Sequence, residues 1–281
     1  MQQLILNGKE LAKITEEKLR QKMVELKEKS GKDAVLATII VGNNPASQMY
    51  VKMKANACER VGLRSLKVEL GEETSTEELL EVIEKLNADE SVDGILLQHP
   101  VPKHIDERLC FNSISPKKDV DGVTSAGFGA ISMSEDAYAS ATPLGIVRIL
   151  DHYGINVEGK HAVVIGRSAI LGKPIAMMLL NKNATVTVTH SKTVDLEKIV
   201  KTADIVVACV GKPKFVKKEW VKLGAVVIDA GYNEGNVGDV DLENVSAVAS
   251  AYTPVPGGVG PMTIISLIEQ TVRAFEKRVN E

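Results

Sequence analysis

The stretch Ala162-Val163-Val164-Ile165-Gly166-Arg167-Ser168-Ala169-Ile170-Leu171-Gly172-Lys173-Pro174 runs from an apolar, β-branched segment through a glycine turn into a helical pattern. A turn of this kind points free backbone N–H groups at a bound phosphate. It departs from the G-x-G-x-x-G fingerprint, because Ser168 occupies the second glycine position and Gly172 comes one residue late. Taken alone, the turn fits a nucleotide site and an ordinary strand-to-helix connection about equally well.

Apolar segments alternate with helical patterns along the rest of the chain, after a first amphipathic helix predicted from Glu10 to Lys29. Alternation of this kind predicts parallel sheets with helices on their faces. In the first half we predict strands at Val35–Val41, Leu66–Leu70 and Gly94–Gln98, and helices at Pro45–Val61 and Thr76–Asn87, the latter opening with a Ser75/Glu78 capping box. In the second half we predict strands at Ala162–Ile165, Thr185–Thr189, Ile205–Val210, Ala225–Asp229 and Ala247–Ala249.

Two α/β domains follow, since each half has enough strands for a sheet of its own. A turn signal at Thr142-Pro143-Leu144-Gly145 opens a helix that runs to His152 and marks the boundary. The last helix, predicted from Thr263 to Arg278, has one apolar face and must dock on a domain. We therefore expect a three-layer α/β catalytic domain at residues 1–140, completed by the returning C-terminal helix at 263–281, and a Rossmann-like nucleotide domain at 141–262.

The end of the strand after the glycine turn bears on the choice of nucleotide. About twenty residues beyond the first glycine, NAD sites usually carry an Asp or Glu that binds the ribose 2′-hydroxyl. Here the chain reads Thr189-His190-Ser191-Lys192, without a carboxylate. Arg167, Ser191 and, unless it is only a solvated surface residue, Lys192 could donate to a 2′-phosphate, so the sequence favours NADP over NAD.

A second group of polar residues lies in the first half. Asn44-Pro45 reads as an N-cap followed by proline, so a helix begins where the strand ending at Val41 stops. Ser47, Tyr50 and Lys54 stand at i, i+3 and i+7 and project to one side of that helix. Two further polar residues could converge on the same sheet edge: Gln98 at a later strand end and Asp121 in a turn.

The Tyr50/Lys54 pair has a catalytic and a structural interpretation. A lysine in a partly dry cleft has a lowered pKa, which suits it to polarise a substrate or to exchange protons with water. A lysine whose stem covers apolar surface while its ammonium stays in water is the structural alternative. Short-chain dehydrogenases also carry Tyr-x-x-x-Lys, but there the nucleotide turn comes first, and this chain has the reverse order.

Composition excludes several classes of protein. The 281 residues, 44% hydrophobic and 25% charged, are ordinary for a globular chain. A formal charge of −3 without a basic stripe argues against nucleic acid as a partner. No secretion signal or membrane span is predicted. The three cysteines, Cys58, Cys110 and Cys209, have no metal-ligand spacing and read as reduced thiols of a cytoplasmic protein.

Along nearly its whole length the chain resembles the family of bifunctional methylenetetrahydrofolate dehydrogenases/methenyltetrahydrofolate cyclohydrolases. The resemblance is carried by Val41–Val51, Asp93–Gln98, Lys118–Gly122, Gly166–Ser168 and, most specifically, Pro254-Val255-Pro256-Gly257-Gly258-Val259-Gly260-Pro261-Met262-Thr263. It implies NADP-dependent oxidation of 5,10-methylenetetrahydrofolate and hydrolysis of the methenyl product to 10-formyltetrahydrofolate. It also implies a homodimer that associates through the nucleotide domains.

The resemblance further implies a role for each matching residue. Lys54 would be the catalytic lysine, Tyr50 would pack on the pteridine, Gln98 would place Lys54, and Asp121 would bind the pteridine ring. The implied substrate contacts also include Ser47, Pro256 and Gly257. The implied cofactor contacts are Gly166, Arg167, Ser168, Ser191 and Tyr232, with Thr142 and Thr263 at the nicotinamide end.

The chain departs from the usual family pattern in three places. Val123–Gly129 replaces the common segment after Asp121-Gly122, His99 replaces a usual leucine, and Tyr232 replaces a common isoleucine ahead of a shortened loop. Three rival functions therefore stay open: a monofunctional dehydrogenase of this family, a non-catalytic NADP- or folate-binding regulator, and another two-domain dehydrogenase acting on shikimate-like acids.

Overall fold

The computed structural model describes residues 3–281, which form two compact units. The six-stranded unit comprises residues 3–13, Ile131–Ser134 and Thr142–Thr263. The three-stranded unit comprises Ile14–Ala130, Glu135–Ala141 and Ile264–Glu281. Their names refer to the parallel sheet in each.

Helices and strands alternate throughout, as predicted. The strands are β1 (Leu4–Ile5), β2 (Val35–Val41), β3 (Arg64–Leu70), β4 (Gly94–Leu97), β5 (His161–Ile165), β6 (Thr185–Thr189), β7 (Ile205–Ala208), β8 (Val226–Asp229) and β9 (Ala251–Tyr252). The helices are α1 (Gly8–Ser30), α2 (Pro45–Val61), α3 (Thr76–Ala88), α4 (Glu107–Ser113), α5 (Ser125–Ser132), α6 (Ala141–His152), α7 (Gly172–Asn181), α8 (Leu196–Val200), α9 (Leu242–Val245) and α10 (Val259–Asn280), with one 3₁₀ turn at Lys218–Trp220.

The sheet of the three-stranded unit has the order β3-β2-β4, with every pairing parallel. All seven residues of the central strand β2 are buried, which explains why Val35–Val41 reads as a continuous apolar run. Helix α3 begins with the predicted capping box: Ser75 Oγ accepts from Glu78 N, and the Glu78 carboxylate accepts from Ser75 N. Residues of α10 from Ile264 onward belong to this unit, which confirms the predicted return of the last helix.

The sheet of the six-stranded unit has the order β1-β9-β8-β7-β5-β6, again all parallel. Its central strands β5, β7 and β8 are buried nearly throughout. Side chains from these strands and from the segments between them share one core, which includes Val163, Val206, Val227 and Val245. The chain thus adopts the predicted α/β architecture.

One predicted strand is wrong. Ala247–Ala249 continues the turn of α9, because the N–H groups of Val248 and Ala249 donate to Val245 O. Both Val245 and Ala249 are buried, so the apolar character that suggested a strand serves packing instead. The last strand of the sheet is β9, which begins two residues later.

The units also differ from the predicted domain limits at the N-terminus. Residues 3–13 belong to the six-stranded unit, because β1 pairs in register with β9, Leu4 opposite Ala251. Strand β1, which has only two residues, was not predicted, and neither were the short helices α4 and α5.

Candidate functional site

The first group of predicted site residues lies on α2, directly after β2. Asn44 caps this helix: its side-chain oxygen accepts from Ala46 N at 3.0 Å and from Ser47 N at 3.1 Å. Pro45 takes the first helical position, where its missing N–H costs nothing. The helix therefore starts at the carboxyl edge of the sheet, with Ser47 buried and Tyr50 partly exposed.

Lys54 is paired with Gln98. The ammonium Nζ of Lys54 donates to Gln98 Oε1 at 3.0 Å, and Gln98 Nε2 donates to the backbone carbonyl of His99 at 2.7 Å. The second bond fixes which end of the Gln98 amide faces the lysine. Because Gln98 is only 7% exposed, its orientation is held by the protein, and Lys54 has one defined position.

Lys54 and Asp121 influence each other electrostatically. Burial lowers the pKa of Lys54, and the negative charge of Asp121 opposes that change. Burial raises the pKa of Asp121, and the positive charges of Lys54 and His99 oppose it. The lysine can therefore lose its proton more readily than a lysine in water, while a carboxylate nearby stabilises its charged form.

The backbone around Asp121 is pinned from both sides. Gln270 Nε2 of α10 donates to Val120 O at 2.7 Å, and Ser140 Oγ donates to Gly122 O at 2.6 Å. Gly122 has φ +64° and could not carry a Cβ, which would lie 2.2 Å from the backbone of residue 139. The Asp121 carboxylate is thus presented on a segment with little freedom.

Asp119 shapes the turn that follows. Its two carboxylate oxygens accept from Val123 N and Thr124 N, each at 3.0 Å, and burial raises its pKa to about 6. The departure from the family pattern at Val123–Gly129 thus begins in a turn fixed by backbone groups rather than by the replaced side chains. Gly127 in this segment packs against the Asp119 carboxylate.

The glycine turn of the six-stranded unit requires its glycines. Gly166 has φ +128°, and a Cβ there would lie 2.4 Å from the carbonyl oxygen of Cys209. A Cβ on Gly172 would lie 2.4 Å from Gly166 O. Ser168 Oγ accepts from Gly172 N at 3.2 Å, so this serine closes the turn onto α7. The local backbone is the tight strand-to-helix turn that a nucleotide phosphate can approach.

Three potential donors surround this turn. Arg167 and Ser168 lie in the turn after β5, and Ser191 follows the neighbouring strand β6; all three are exposed. Residues 190–194 contain no Asp or Glu. This donor set fits a phosphate on the ribose, and the segment has no carboxylate to accept from a free 2′-hydroxyl, as expected for NADP.

The remaining predicted contacts in this unit lie after β8 and around the start of α10. Thr263 Oγ1 donates to Thr142 Oγ1 at 3.0 Å, so these two side chains are brought together. Tyr232 is half exposed after β8. Pro256 follows a cis peptide bond, and Gly257, with φ +100°, accepts from Lys9 N at 2.8 Å through its carbonyl.

A cavity of about 880 Å³ in the three-stranded unit includes none of the predicted site residues. Its wall carries the ion pair in which Arg278 Nε donates to Asp93 Oδ1 at 2.6 Å. Asp93 Oδ2 also accepts from Val35 N at 2.8 Å, so this pair ties α10 to the start of β2. We interpret these contacts as structural.

Three supporting residues were missed by the sequence prediction. The carbonyl of His99 orients Gln98, Gln270 holds the segment that carries Asp121, and Asp239 binds the loop after β7. Only His99 had a sequence signal, its place next to Gln98. Among residues 3–281 no cluster of His, Cys, Asp and Glu could hold a metal ion, and no helix is long and apolar enough to span a bilayer.

Two family models match the chain. Residues 6–121 match the catalytic domain of tetrahydrofolate dehydrogenase/cyclohydrolase, and residues 140–279 match the NAD(P)-binding domain of the same enzymes. The chain is 63% identical to bifunctional protein FolD 1 of Colwellia psychrerythraea, with 99% of each chain covered.

Solved structures of enzymes from this family have the same fold as this chain. The bifunctional FolD enzyme of Campylobacter jejuni superposes with a TM-score of 0.96 at 45% identity, covering 99% of this chain and 100% of that one. The methylenetetrahydrofolate dehydrogenase-cyclohydrolase of Trypanosoma brucei, complexed with NADP cofactor and an inhibitor, superposes with a TM-score of 0.96 at 35% identity, covering 99% of each chain.

Proposed function

Since the chain belongs to the tetrahydrofolate dehydrogenase/cyclohydrolase family, we propose that its three-stranded unit binds the folate and its six-stranded unit binds NADP. The chain is a bifunctional enzyme of one-carbon metabolism. It oxidises 5,10-methylenetetrahydrofolate with NADP and then hydrolyses the methenyl product to 10-formyltetrahydrofolate. The proposals below concern which residues carry out these two reactions.

The residues of the six-stranded unit suit NADP. Gly166 lets the backbone approach the pyrophosphate, and Ser168 closes the same turn. Arg167 and Ser191 would hold the 2′-phosphate as charge-assisted donors. Further contacts would come from Tyr232 and, towards the nicotinamide, from Thr142 and Thr263. When bound, NADP accepts the hydride from the folate.

The residues of the three-stranded unit suit a pteridine. A pteridine presents an amino group and a ring N–H side by side, and the Asp121 carboxylate can accept from both. Tyr50 offers an aromatic face to the ring system, and Ser47 lies one helical turn away on the same side of α2. Pro256 and Gly257 are proposed as further substrate contacts.

The oxidation step does not require an acid or a base to transfer a proton. Removal of hydride from the carbon between N5 and N10 leaves a cation that both nitrogens stabilise, so alignment of the two reactants matters most. The residues that bind the folate therefore contribute to this step mainly by fixing its orientation.

Lys54 serves mainly the hydrolysis. Water adds to the methenyl carbon, its oxygen forms a bond to that carbon, and the proton that it loses needs an acceptor. As the bond from carbon to N5 breaks, N5 needs a proton, and the hydroxyl on the carbon becomes the formyl carbonyl and releases its proton to solvent. An amine with a lowered pKa can take the first proton and deliver the second, while Gln98 keeps it in place.

The observation that carries this assignment is the arrangement of Lys54, Gln98 and Asp121. The lysine is hydrogen-bonded at 3.0 Å to a buried glutamine and shares its electrostatic environment with a carboxylate. A dehydrogenase without hydrolytic function has no need of such a group. This argues against the monofunctional dehydrogenase and against a regulator without catalysis.

A paired assay tests the assignment. NADPH formation from 5,10-methylenetetrahydrofolate reports oxidation, and loss of supplied 5,10-methenyltetrahydrofolate reports hydrolysis. We expect Lys54→Ala to lower the rate of hydrolysis by at least about 100-fold and to affect oxidation much less. Loss of oxidation with retained hydrolysis would overturn the role given to Lys54, and a wild-type enzyme without hydrolysis would be monofunctional.

We also propose a cytoplasmic homodimer that associates through the six-stranded units. Within residues 3–281, strand β6 forms one edge of that sheet and pairs only with β5. It reads Thr-Val-Thr-Val-Thr, without charge or proline, and an edge of this composition favours pairing with a second strand. The three free cysteines agree with a reducing compartment. Sedimentation velocity at micromolar concentration would give the oligomeric state.

A further inference from the structure

The loop after β7 lies at the point where the connectivity of the six-stranded sheet reverses. From β5 the chain passes to β6 on one side, and it returns to place β7 on the other side of β5. In open α/β sheets ligands bind at such a switch point, outside the carboxyl ends of the strands. The Gly166 turn follows β5, and its close approach to Cys209 O brings the two loops into contact.

One buried carboxylate determines the shape of this loop. Asp239 Oδ2 accepts from Val210 N at 2.6 Å and from Gly211 N at 2.9 Å, and Oδ1 accepts from Lys212 N at 2.9 Å. Asp239 is fully buried, and Asn233 Nδ2 donates to Oδ1 at 3.1 Å. Three consecutive N–H groups of the loop are thus directed at one side chain and are not available to a phosphate.

A second carboxylate holds Asp239 itself. Asp229, the last residue of β8, accepts from Asp239 N and Val240 N, both at 2.9 Å. Gly231 and Gly238 allow this close packing, because a Cβ would lie 2.2 Å from Asp239 Oδ1 in one case and 1.9 Å from Asp229 Oδ2 in the other. The loop is therefore connected to the end of β8 through two side chains that charge-assisted bonds keep in place.

We propose that Asp239 is a positioning residue of the nucleotide site, which fixes the loop Val210–Lys212 as a preformed wall against the bound dinucleotide. The proposal rests on the placement of NADP in the six-stranded unit. In this proposal the two loops have different roles. The Gly166 turn contacts phosphate through its N–H groups, and the Val210–Lys212 loop forms a wall of fixed shape against the cofactor. Asp239 acts through the loop and does not touch the cofactor.

The first test is Asp239→Asn, which replaces one acceptor oxygen by an NH₂ group facing backbone N–H donors. We expect the Kd for NADP, measured by calorimetry on the full-length protein, to rise at least about tenfold. The KM for NADP should rise in parallel, with kcat at saturating NADP changed by less than about threefold. Hydrolysis of supplied methenyltetrahydrofolate should remain, because Lys54, Gln98 and Asp121, which are proposed to carry it out, lie in the three-stranded unit.

Glu243→Gln is the matched control, since it removes one carboxylate four residues away on the surface, where Glu243 pairs with Lys214. It should leave the Kd for NADP unchanged. An Asp239→Asn protein that binds NADP as tightly as the wild type would overturn the proposal and leave the function of the enzyme untouched. A wild-type protein that does not bind NADP would instead overturn the placement of the cofactor.

A second variant keeps the test decisive if Asp239→Asn does not fold. Gly211 has φ +63° with nothing within 4 Å of its Cβ position, so Gly211→Ala strains the loop and leaves Asp239 in place. We expect a rise of about three- to tenfold in the Kd for NADP, without change in the rate of hydrolysis. An unchanged Kd in this variant would contradict a role for the shape of the loop.

Discussion

The two candidate sites are built from different parts of the chain. In the three-stranded unit we propose that the chemistry is carried by side chains on a helix, a strand end and a turn: Lys54, Gln98 and Asp121. In the six-stranded unit the decisive features are backbone turns, above all the one at Gly166. A side-chain site depends on the placement of a few polar ends, whereas a backbone site depends on conformation, and so on residues that never meet the ligand.

The supports of the two sites differ as well. Gln270, a neutral amide, holds the segment around Asp121. Two carboxylates, Asp229 and Asp239, hold the loop beside the Gly166 turn. A neutral support does not change with pH, but a carboxylate can gain a proton. Burial raises the pKa of Asp229 beside the nucleotide turn and of Asp119 beside Asp121 to about 6, so each site has one carboxylate support that responds to acid, whereas the Gln270 support does not.

The largest expected effect is that of a substitution at Gly166. Gly166→Ala places a Cβ 2.4 Å from Cys209 O at a residue with φ +128°, so the turn must shift. We expect NADP-dependent oxidation to fall about 100-fold, because displacement of the turn misplaces the cofactor. Hydrolysis of methenyltetrahydrofolate should stay within twofold.

Gly154→Ala is the control for this variant. Gly154 lies in the same unit and has φ +66°, but nothing lies within 4 Å of its Cβ position. It therefore imposes similar backbone strain away from the turn, and both activities should persist. Equal loss of oxidation in the two variants would mean that general strain in the unit, and not the turn, is responsible.

The second prediction concerns Gln270. Gln270→Leu leaves Val120 O, Ala139 O and Ala139 N without their side-chain partner in a buried region. We expect the free energy of unfolding of the three-stranded unit to fall by about 3–4 kcal/mol, and hydrolysis to decline as Asp121 loses its fixed backbone. Far-UV circular dichroism during urea unfolding measures the first effect.

Ser75→Ala is the control variant for that measurement, because its expected effect on stability is small. It removes the exposed cap of α3 in the same unit and should cost about 1 kcal/mol without affecting either activity. Trp220, the single tryptophan, lies in the six-stranded unit, so its fluorescence reports unfolding there. A change in the tryptophan transition equal to that in circular dichroism would argue against an effect confined to the three-stranded unit.

The third prediction concerns the dependence of stability on pH that Asp229 produces. Burial raises the pKa of Asp229 to about 6, above the value of about 3.9 in an unfolded chain. The folded state therefore binds the proton more tightly, and the stability gained is complete below pH 4 and lost as pH rises through 6. Relative to Asp229→Asn, the wild type should gain about 1–2 kcal/mol between pH 7.5 and pH 5.

Urea unfolding followed by Trp220 fluorescence at several pH values measures this difference. Gln270→Leu, followed by far-UV circular dichroism because it lies in the three-stranded unit, serves as the comparison. Its difference from the wild type involves no titrating group and should be independent of pH. If the difference between wild type and Asp229→Asn is also constant with pH, Asp229 does not titrate in this range, and the acid response belongs to other carboxylates.

The sequence was sufficient for most of the architecture. The continuous apolar run of β2 and the alternating β-branched Thr and Val of β6 predicted both strands to the residue, and the Asn44-Pro45 and Ser75/Glu78 signals predicted where α2 and α3 begin. These features are local, since caps and strand periodicity depend on residues close in the chain. The predicted strand at Ala247–Ala249 failed because an apolar run alone cannot distinguish a strand from a buried turn.

The site was partly predictable for the same reason. The spacing of Tyr50 and Lys54 predicted that they share a helix face, but it left a structural role for Lys54 open. The roles drawn from the family resemblance stay predictions until variants are tested. The support residues could not be inferred: Asp239 binds groups 27 to 29 positions away, and Gln270 binds a carbonyl 150 positions away. Such partners depend on how the elements pack, which no local pattern encodes.

The pairing of β1 with β9 has a consequence for synthesis on the ribosome. The first strand of the six-stranded sheet must wait for Ala251 and Tyr252, and the three-stranded unit must wait for the residues of α10. Because N-terminal segments emerge first, neither unit can close until nearly the whole chain has left the exit tunnel. A chain interrupted before Ala251 would lack both the partner strand of β1 and all of α10, so both units would be incomplete and exposed to proteases.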